Sequence, residues 1–250
     1  MRRPILVILI LCFAIPVSNA QLWMQRRWEV EGGIGPSFFF GDIGGYSRSK
    51  DILGFRDLNF LQTRFDVNGS LRFRITREIN VRLSLSGGMF SASDSRGSNE
   101  DRKFAVSTTF FEPVVIGEYY FIKNYAESNY LFIKQKGGFS LNLFKSLDFY
   151  CFTGFGGLSY HVDGNAALAQ HGYVKGGFTG VIPVGLGATL IYTPNINFGI
   201  EIGGRYPFTD YLDGYTSQYS TSNDVYYFLN FTVTYKLKSG RHGGFPSFRR

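Results

Sequence analysis

The sequence predicts an all-β fold: an eight-stranded antiparallel transmembrane β-barrel behind an N-terminal signal peptide. Three observations carry that prediction. First, Phe65, Val67, Gly69, Leu71, Phe73 and Ile75 alternate with Arg64, Asp66, Asn68, Ser70, Arg72 and Arg74. Successive strand side chains point to opposite faces, so this segment has one apolar side and one strongly charged side. The pattern returns where Val225, Tyr227, Leu229, Phe231, Val233, Tyr235 and Leu237 interleave with Asn230, Thr232, Thr234 and Lys236. Second, long polar connections alternate with tight ones. Third, beyond the first twenty residues there is no apolar run of about 18 residues, and the mean hydropathy is near zero, which rules out a helical membrane bundle.

Residues 1–20 read as a secretory signal: Arg2 and Arg3, an apolar stretch from Ile5 to Val17, then Ser18-Asn19-Ala20 with small residues at the cleavage positions. Leu11 stands before Cys12 where a lipoprotein signal needs a small residue, so the mature chain is expected to begin near Gln21. Removing Arg2 and Arg3 lowers the formal charge from +7 to +5. That mild excess is dispersed through strands and tail, which argues against a nucleic-acid partner. Cys151 alone survives cleavage, excluding an intramolecular disulfide and a cysteine-based metal site.

Eight strands follow: Trp28–Gly41, Thr63–Ile75, Asn80–Phe90, Phe104–Phe121, Leu147–Tyr160, Ile182–Tyr192, Phe198–Phe208 and Val225–Leu237. Most reach the roughly 10 residues that a tilted strand needs to cross hydrocarbon. The apolar phase is clear in the first (Trp28, Val30, Ile34, Phe38, Phe40), the sixth (Ile182, Val184, Leu186, Ala188, Leu190) and the seventh (Phe198, Ile200, Ile202, Tyr206, Phe208). In the fourth and fifth strands Phe110-Phe111 and Phe149-Tyr150-Cys151-Phe152 admit either register. Connections 41–62, 91–103, 161–181 and 209–224 are long and polar, whereas 76–79 and 193–197 are tight. Outer-membrane barrels place long loops outside and short turns in the periplasm, so both termini are expected in the periplasm of a Gram-negative envelope. Alternation alone cannot separate this barrel from a soluble one that binds ligands inside, because it does not say which face is inward. Strand length, the aromatic content of 18% and the loop alternation favour the membrane.

The connection 122–146 is too long for a periplasmic turn and carries many large apolar residues, among them Tyr130, Phe132 and Ile133. It reads either as extended strands or an extra hairpin, which would make ten strands, or as a periplasmic docking element with exposed hydrophobics. The basic residues 238–250 form a flexible periplasmic tail beyond a barrel domain of residues 21–237.

With the apolar face toward lipid, Glu29, Glu31, Arg64, Asp66, Arg72, Arg74, Arg82, Glu112, Glu118, Glu201 and Arg205 point inward. An eight-stranded barrel is barely wide enough for its own side chains, so Arg72, Arg74, Arg82, Glu118, Glu201 and Arg205 are expected to form a packed interior charge network with no open pore. Ser159, His161 and Asp163, two apart on one strand face, are the residues to weigh for a lipid-modifying hydrolase. A triad normally converges from separate elements and Gly164 begins a turn, so no catalytic residue is assigned. The three histidines are too scattered for a metal site, and Gly41-Asp42-Ile43-Gly44-Gly45 lacks the lysine that grips phosphate. No cofactor, metal or small-molecule substrate is expected.

Glu201-Ile202-Gly203-Gly204-Arg205 followed by Phe208-Thr209-Asp210-Tyr211-Leu212-Asp213 and Tyr219 resembles a Bacteroidetes outer-membrane β-barrel family that includes the PorG component of the type IX secretion system. Phe40-Gly41-Asp42, Glu118-Tyr119, and Tyr150, Phe152, Gly154, Gly156 and Gly157 extend the match over most of the mature chain. The run Phe208–Asp213 is the specific part; Gly214 stands where the family commonly has a second acidic residue. The resemblance implies a non-enzymatic outer-membrane anchor or accessory subunit contacting periplasmic secretion subunits. A small adhesin or envelope-maintenance barrel acting through its outer loops is the alternative, and a lipid-modifying barrel enzyme comes third.

Overall fold

A computed structural model describes residues 26–44, 62–94, 100–124, 145–216 and 223–238. The wall is a closed barrel of eight antiparallel strands, each paired with its sequence neighbour. They are β1 (Trp28–Phe40), β2 (Arg64–Arg74), β3 (Ile79–Ser93), β4 (Ala105–Ile122), β5 (Leu147–Gly164), β6 (Gly176–Ile191), β7 (Ile196–Pro207) and β8 (Val225–Lys236), with one short helix, α1 (Ala166–His171). β4 pairs directly with β5 and β8 returns to β1, so no further hairpin enters the wall: it has eight strands, not ten.

The register fixes the geometry. A row of paired residues starting at Trp28 runs through Phe73, Val81, Gly117, Thr153, Val184, Gly204 and Tyr227 and returns to β1 at Phe38, ten residues along. That stagger tilts the strands by about 40–45° from the barrel axis, so each residue advances about 2.4 Å along it. The 11 residues of β2 therefore just span an apolar band of about 25 Å.

Inside and outside are now distinguished. Val30, Ile34, Phe65, Val67, Leu83, Val115, Phe155, Val184, Ile202 and Phe231 are exposed around the whole circumference, whereas Glu29, Glu31, Asp66, Arg72, Arg82, Glu112, Glu118 and Glu201 are buried. A charged interior and an apolar exterior suit a wall surrounded by lipid, the reverse of a water-soluble barrel. The ambiguous strands resolve as well: Phe110, Tyr150 and Phe152 point in, while Phe111, Phe149 and Cys151 point out. Toward the long-loop end the outward positions of β3, β4 and β5 become polar (Ser91, Ser93, Ser107, Thr109, Ser159, His161, Asp163), where the wall leaves the apolar band.

Both tight turns use one device. Thr76 Oγ1 accepts the amides of Glu78 (3.2 Å) and Ile79 (3.0 Å), and Thr193 Oγ1 accepts those of Asn195 (3.4 Å) and Ile196 (3.0 Å). The ends of the described wall emerge beside these turns, where Leu237 donates its amide to the Trp28 carbonyl and Lys236 to that of Asn195.

Several boundaries differ from those expected of the sequence: β3 runs on to Ser93 rather than Phe90, and β5 to Gly164 rather than Tyr160, because their outer ends pair with β4 and, for β5, β6. β6 begins at Gly176 rather than Ile182, because the glycine-rich stretch 176–180 pairs with β5 although it has no apolar periodicity to reveal a strand. The connection before it is correspondingly shorter and contains α1, which Asn165 caps by accepting the Leu168 amide at 3.0 Å. Residues 1–20, Tyr130, Phe132, Ile133 and most of the tail lie outside the described residues.

Candidate functional site

The barrel interior contains three stacked layers, beginning with ion pairs nearest the tight turns. Arg72 on β2 reaches Glu29 (3.2 Å), Glu31 (2.9 Å) and Glu118 (2.8 Å). Arg82 on β3 contacts Glu31 (2.7 Å), Glu201 (2.6 Å) and Glu118 (3.1 Å), and Arg74 holds Glu29 at 2.8 Å. Neutral donors complete the shells: Asn80 to Glu118, Thr234 and Ser70 to Glu31, and the Tyr150 hydroxyl to Glu201. Each carboxylate of this layer thus answers an arginine or hydroxyl, which is how charges survive removal from water. At the mouth below, Lys123 sits 3.3 Å from Asp148 and 3.7 Å from the Tyr120 ring centroid. Burial pulls its ammonium group down to about 8, and the Arg74 charge adds to that.

Glycines on the facing strands make room for this layer. A methyl on Gly187 would lie 2.2 Å from the Tyr150 ring, and one on Gly185 or Gly203 would meet the Phe152 ring at 2.4 or 2.8 Å. Only glycine lets these aromatics cross the lumen.

Arg205 does not join the arginines of β2 and β3. It pairs with Glu112 at 3.2 Å, whose other oxygen accepts the Tyr226 hydroxyl. Phe152 lies between the two groups, with the Arg82 and Arg205 guanidinium carbons 5.5 and 5.9 Å from its centroid. The reason is register: Arg205 faces inward four residues beyond Glu201 on β7, about 10 Å further along the axis. Asp66 is buried beside this second pair and faces Asn230 and Asn68.

An aromatic layer follows. Phe90 stacks on Phe110 with centroids 4.4 Å apart, and Tyr226, Phe228 and Phe39 pack around them. Above it the described ends of the long loops tie to one another as a cap, and the run Phe208–Asp213 is its knot. Phe208 is exposed toward lipid beside Phe155 and Tyr206. Asp210 accepts the Thr216 hydroxyl at 2.6 Å, Thr209 is half-buried and Tyr211 is exposed. Leu212 is fully buried, its carbonyl accepting Thr108 Oγ1 at 2.6 Å and its amide donating to Asp224 at 2.8 Å. Asp213, also fully buried, accepts the amides of Ile43 and Tyr215, both at 2.9 Å. A second strut joins Gly44 to Asp94 (2.8 Å), with Arg102 bridging Asp94 (3.0 Å) and the Asp42 carbonyl (3.1 Å). Gly214 has φ +75°, and a methyl there would sit 2.9 Å from the Val174 carbonyl, so a larger side chain does not fit.

Ser159, His161 and Asp163 share the outward face of β5. His161 lies 3.6 Å from Asp163 and both are well exposed, whereas the register sets Ser159 between Phe111 and Phe178. Among the described residues no group of three His, Cys, Asp or Glu side chains is placed to hold a metal ion. The Glu112–Tyr226–Arg205 unit and the role of Asp224 were not foreseeable from motifs. Inward phase was the only available signal for the first, and Asp224 precedes its strand with no motif around it.

No family model matches the chain, and no curated protein matches it in sequence. Solved structures do. Neisserial surface protein A is 11% identical, with 84% of this chain and 97% of that chain covered and a TM-score of 0.45. The N-terminal β-barrel domain of OprF from Pseudomonas aeruginosa is 10% identical, covering 84% and 97% at a TM-score of 0.41. Ail, the attachment invasion locus protein of Yersinia pestis, is 12% identical, covering 84% and 98% at 0.39.

Proposed function

We propose that this protein is a non-conducting outer-membrane barrel that serves as an anchor or accessory subunit of a type IX-like secretion apparatus. The observation that carries the anchor reading is the filled lumen: ion pairs, stacked aromatics and tied loops follow one another from the tight-turn end to the long-loop end. Such an interior offers rigidity and no passage. The resemblance of Phe208–Asp213 and the preceding Glu201–Arg205 supports the secretion assignment. In this reading the tight turns and both termini are periplasmic, and the connection between β4 and β5 is the docking element.

The test is affinity purification of the full-length protein from membranes in mild detergent. Replacing Tyr130, Phe132 and Ile133 with Ser leaves barrel assembly intact and abolishes co-purification of periplasmic secretion subunits, because buried aromatic anchors dominate interface energy. Unchanged co-purification rejects the docking element. The tied outer cap favours a second reading, an outer-loop binder; loss of surface binding only after shortening 91–103 or 209–224 selects it.

A further inference from the structure

The cap holds two carboxyl groups that the wall does not need. Asp213 is 0% exposed and Asp224 2%. Between them they accept three amides, those of Ile43, Tyr215 and Leu212, drawn from the β1–β2 and β7–β8 loops. They also crowd each other: a methyl on Gly41 would lie 2.7 Å from Asp224 Oδ1 and 2.8 Å from Asp213 Oδ2.

Among the described residues the charged groups facing them do not compensate. Asp42 approaches from the β1–β2 loop and Asp210 from their own loop, and both are acidic. From the β3–β4 loop, Arg102 is committed to Asp94 and the Asp42 carbonyl. The β5–β6 connection brings Tyr173 and Val174 against Gly214, and its His171 packs edge-to-face with Phe104. From β8, the Tyr226 hydroxyl is turned down to Glu112. Two ionised carboxylates in this setting repel each other, whereas one shared proton lets the pair bridge the loops.

We propose that Asp213 and Asp224 form a proton-operated latch: the pair retains a proton while the cap is shut, and losing it releases the β1–β2 loop from the β7–β8 loop. Burial drives the Asp213 carboxyl up to about 7; burial, with the Asp213 charge adding, drives Asp224 well above the usual aspartate range. Both bind a proton more tightly in the closed cap than in an open, solvated one. Their contribution to closure is complete below the ordinary aspartate range near pH 4 and is lost as pH rises through about 7.

Amide hydrogen exchange on the full-length protein in detergent micelles tests this, read as protection factors corrected for the intrinsic pH dependence of exchange. Between pH 5.5 and 8.5 protection at Ile43, Leu212 and Tyr215 falls at least tenfold and reversibly, while amides in the middle of β4 and β5 do not change. Asp224→Asn keeps an acceptor for Leu212 and supplies a donor to Asp213, and it flattens that pH dependence. Carbon-13 titration of the Asp213 and Asp224 carboxyls in the unmodified protein gives a readout independent of any variant, with at least one of the two groups titrating near neutrality. Flat protection in the unmodified protein, an unaltered profile in Asp224→Asn, or two carboxyls titrating near pH 4 each overturns the latch. Restoration of protection at pH 8.5 by millimolar calcium would assign the pair to a cation and overturn it too.

Discussion

At the residue scale the interior chemistry depends on which charges share a cage. Arg72 serves Glu29, Glu31 and Glu118 together, so Arg72→Leu leaves these three buried carboxylates with Arg74 and Arg82 alone to answer them. The expected cost is about 3–5 kcal/mol, measured by urea unfolding in detergent or vesicles. Arg205→Leu deprives Glu112 of its arginine in the same way. Because Phe152 separates the two groups, the double variant Arg72→Leu with Arg205→Leu should lose the sum of the single losses to within about 0.5 kcal/mol. Arg72→Leu with Glu118→Leu should lose clearly less than its sum, since the two side chains pair directly at 2.8 Å and the second change removes a charge that the first deprived of a partner. Equal coupling in both pairs would mean one continuous network. Which residues share a face was legible from alternation alone, as with Arg72 against Leu71. Partnership was not, because it depends on the stagger that lifts Arg205 away from Arg82.

At the element scale the glycines divide by what faces them. A methyl on Gly69 of β2 would meet nothing within 4 Å, whereas one on Gly154 would lie 2.2 Å from the Val115 carbonyl and one on Gly187 2.2 Å from the Tyr150 ring. Gly69→Ala should leave the midpoint of heat-induced mobility change on a detergent gel unaltered. Gly187→Ala should lower stability by about 1–3 kcal/mol, as overpacking does, and Tyr150→Leu in the same chain should recover part of it. Gly154→Ala should resist such rescue, because its obstacle is backbone. The glycine pattern of β5 to β7 is visible in the sequence, but its division into open and crowded positions is not. The same richness in glycine hid the start of β6, whose strand character comes from pairing with the segment from Gly156 to His161 rather than from its own side chains.

For the whole molecule, a lumen filled from mouth to cap predicts that the purified protein forms no large, steady channel in planar bilayers; stable conductance of porin size would contradict the packing described. A closed wall has no free strand edge, so the unheated protein should migrate differently from the boiled one on a detergent gel. The sequence by itself determined that the chain is all-β, with strands long enough to cross a membrane, and which residues of most strands lie on one face, because a period of two is a local property of each strand. It also marked Phe208–Asp213 as distinctive without saying why. Only the tertiary structure decided that the charged face is the inner one, that the wall closes at eight strands with a stagger of ten residues, and that Asp213 and Asp224 meet beneath the cap. Those outcomes depend on contacts between strands and loops far apart in the chain, and no local pattern encodes the register that brings them together.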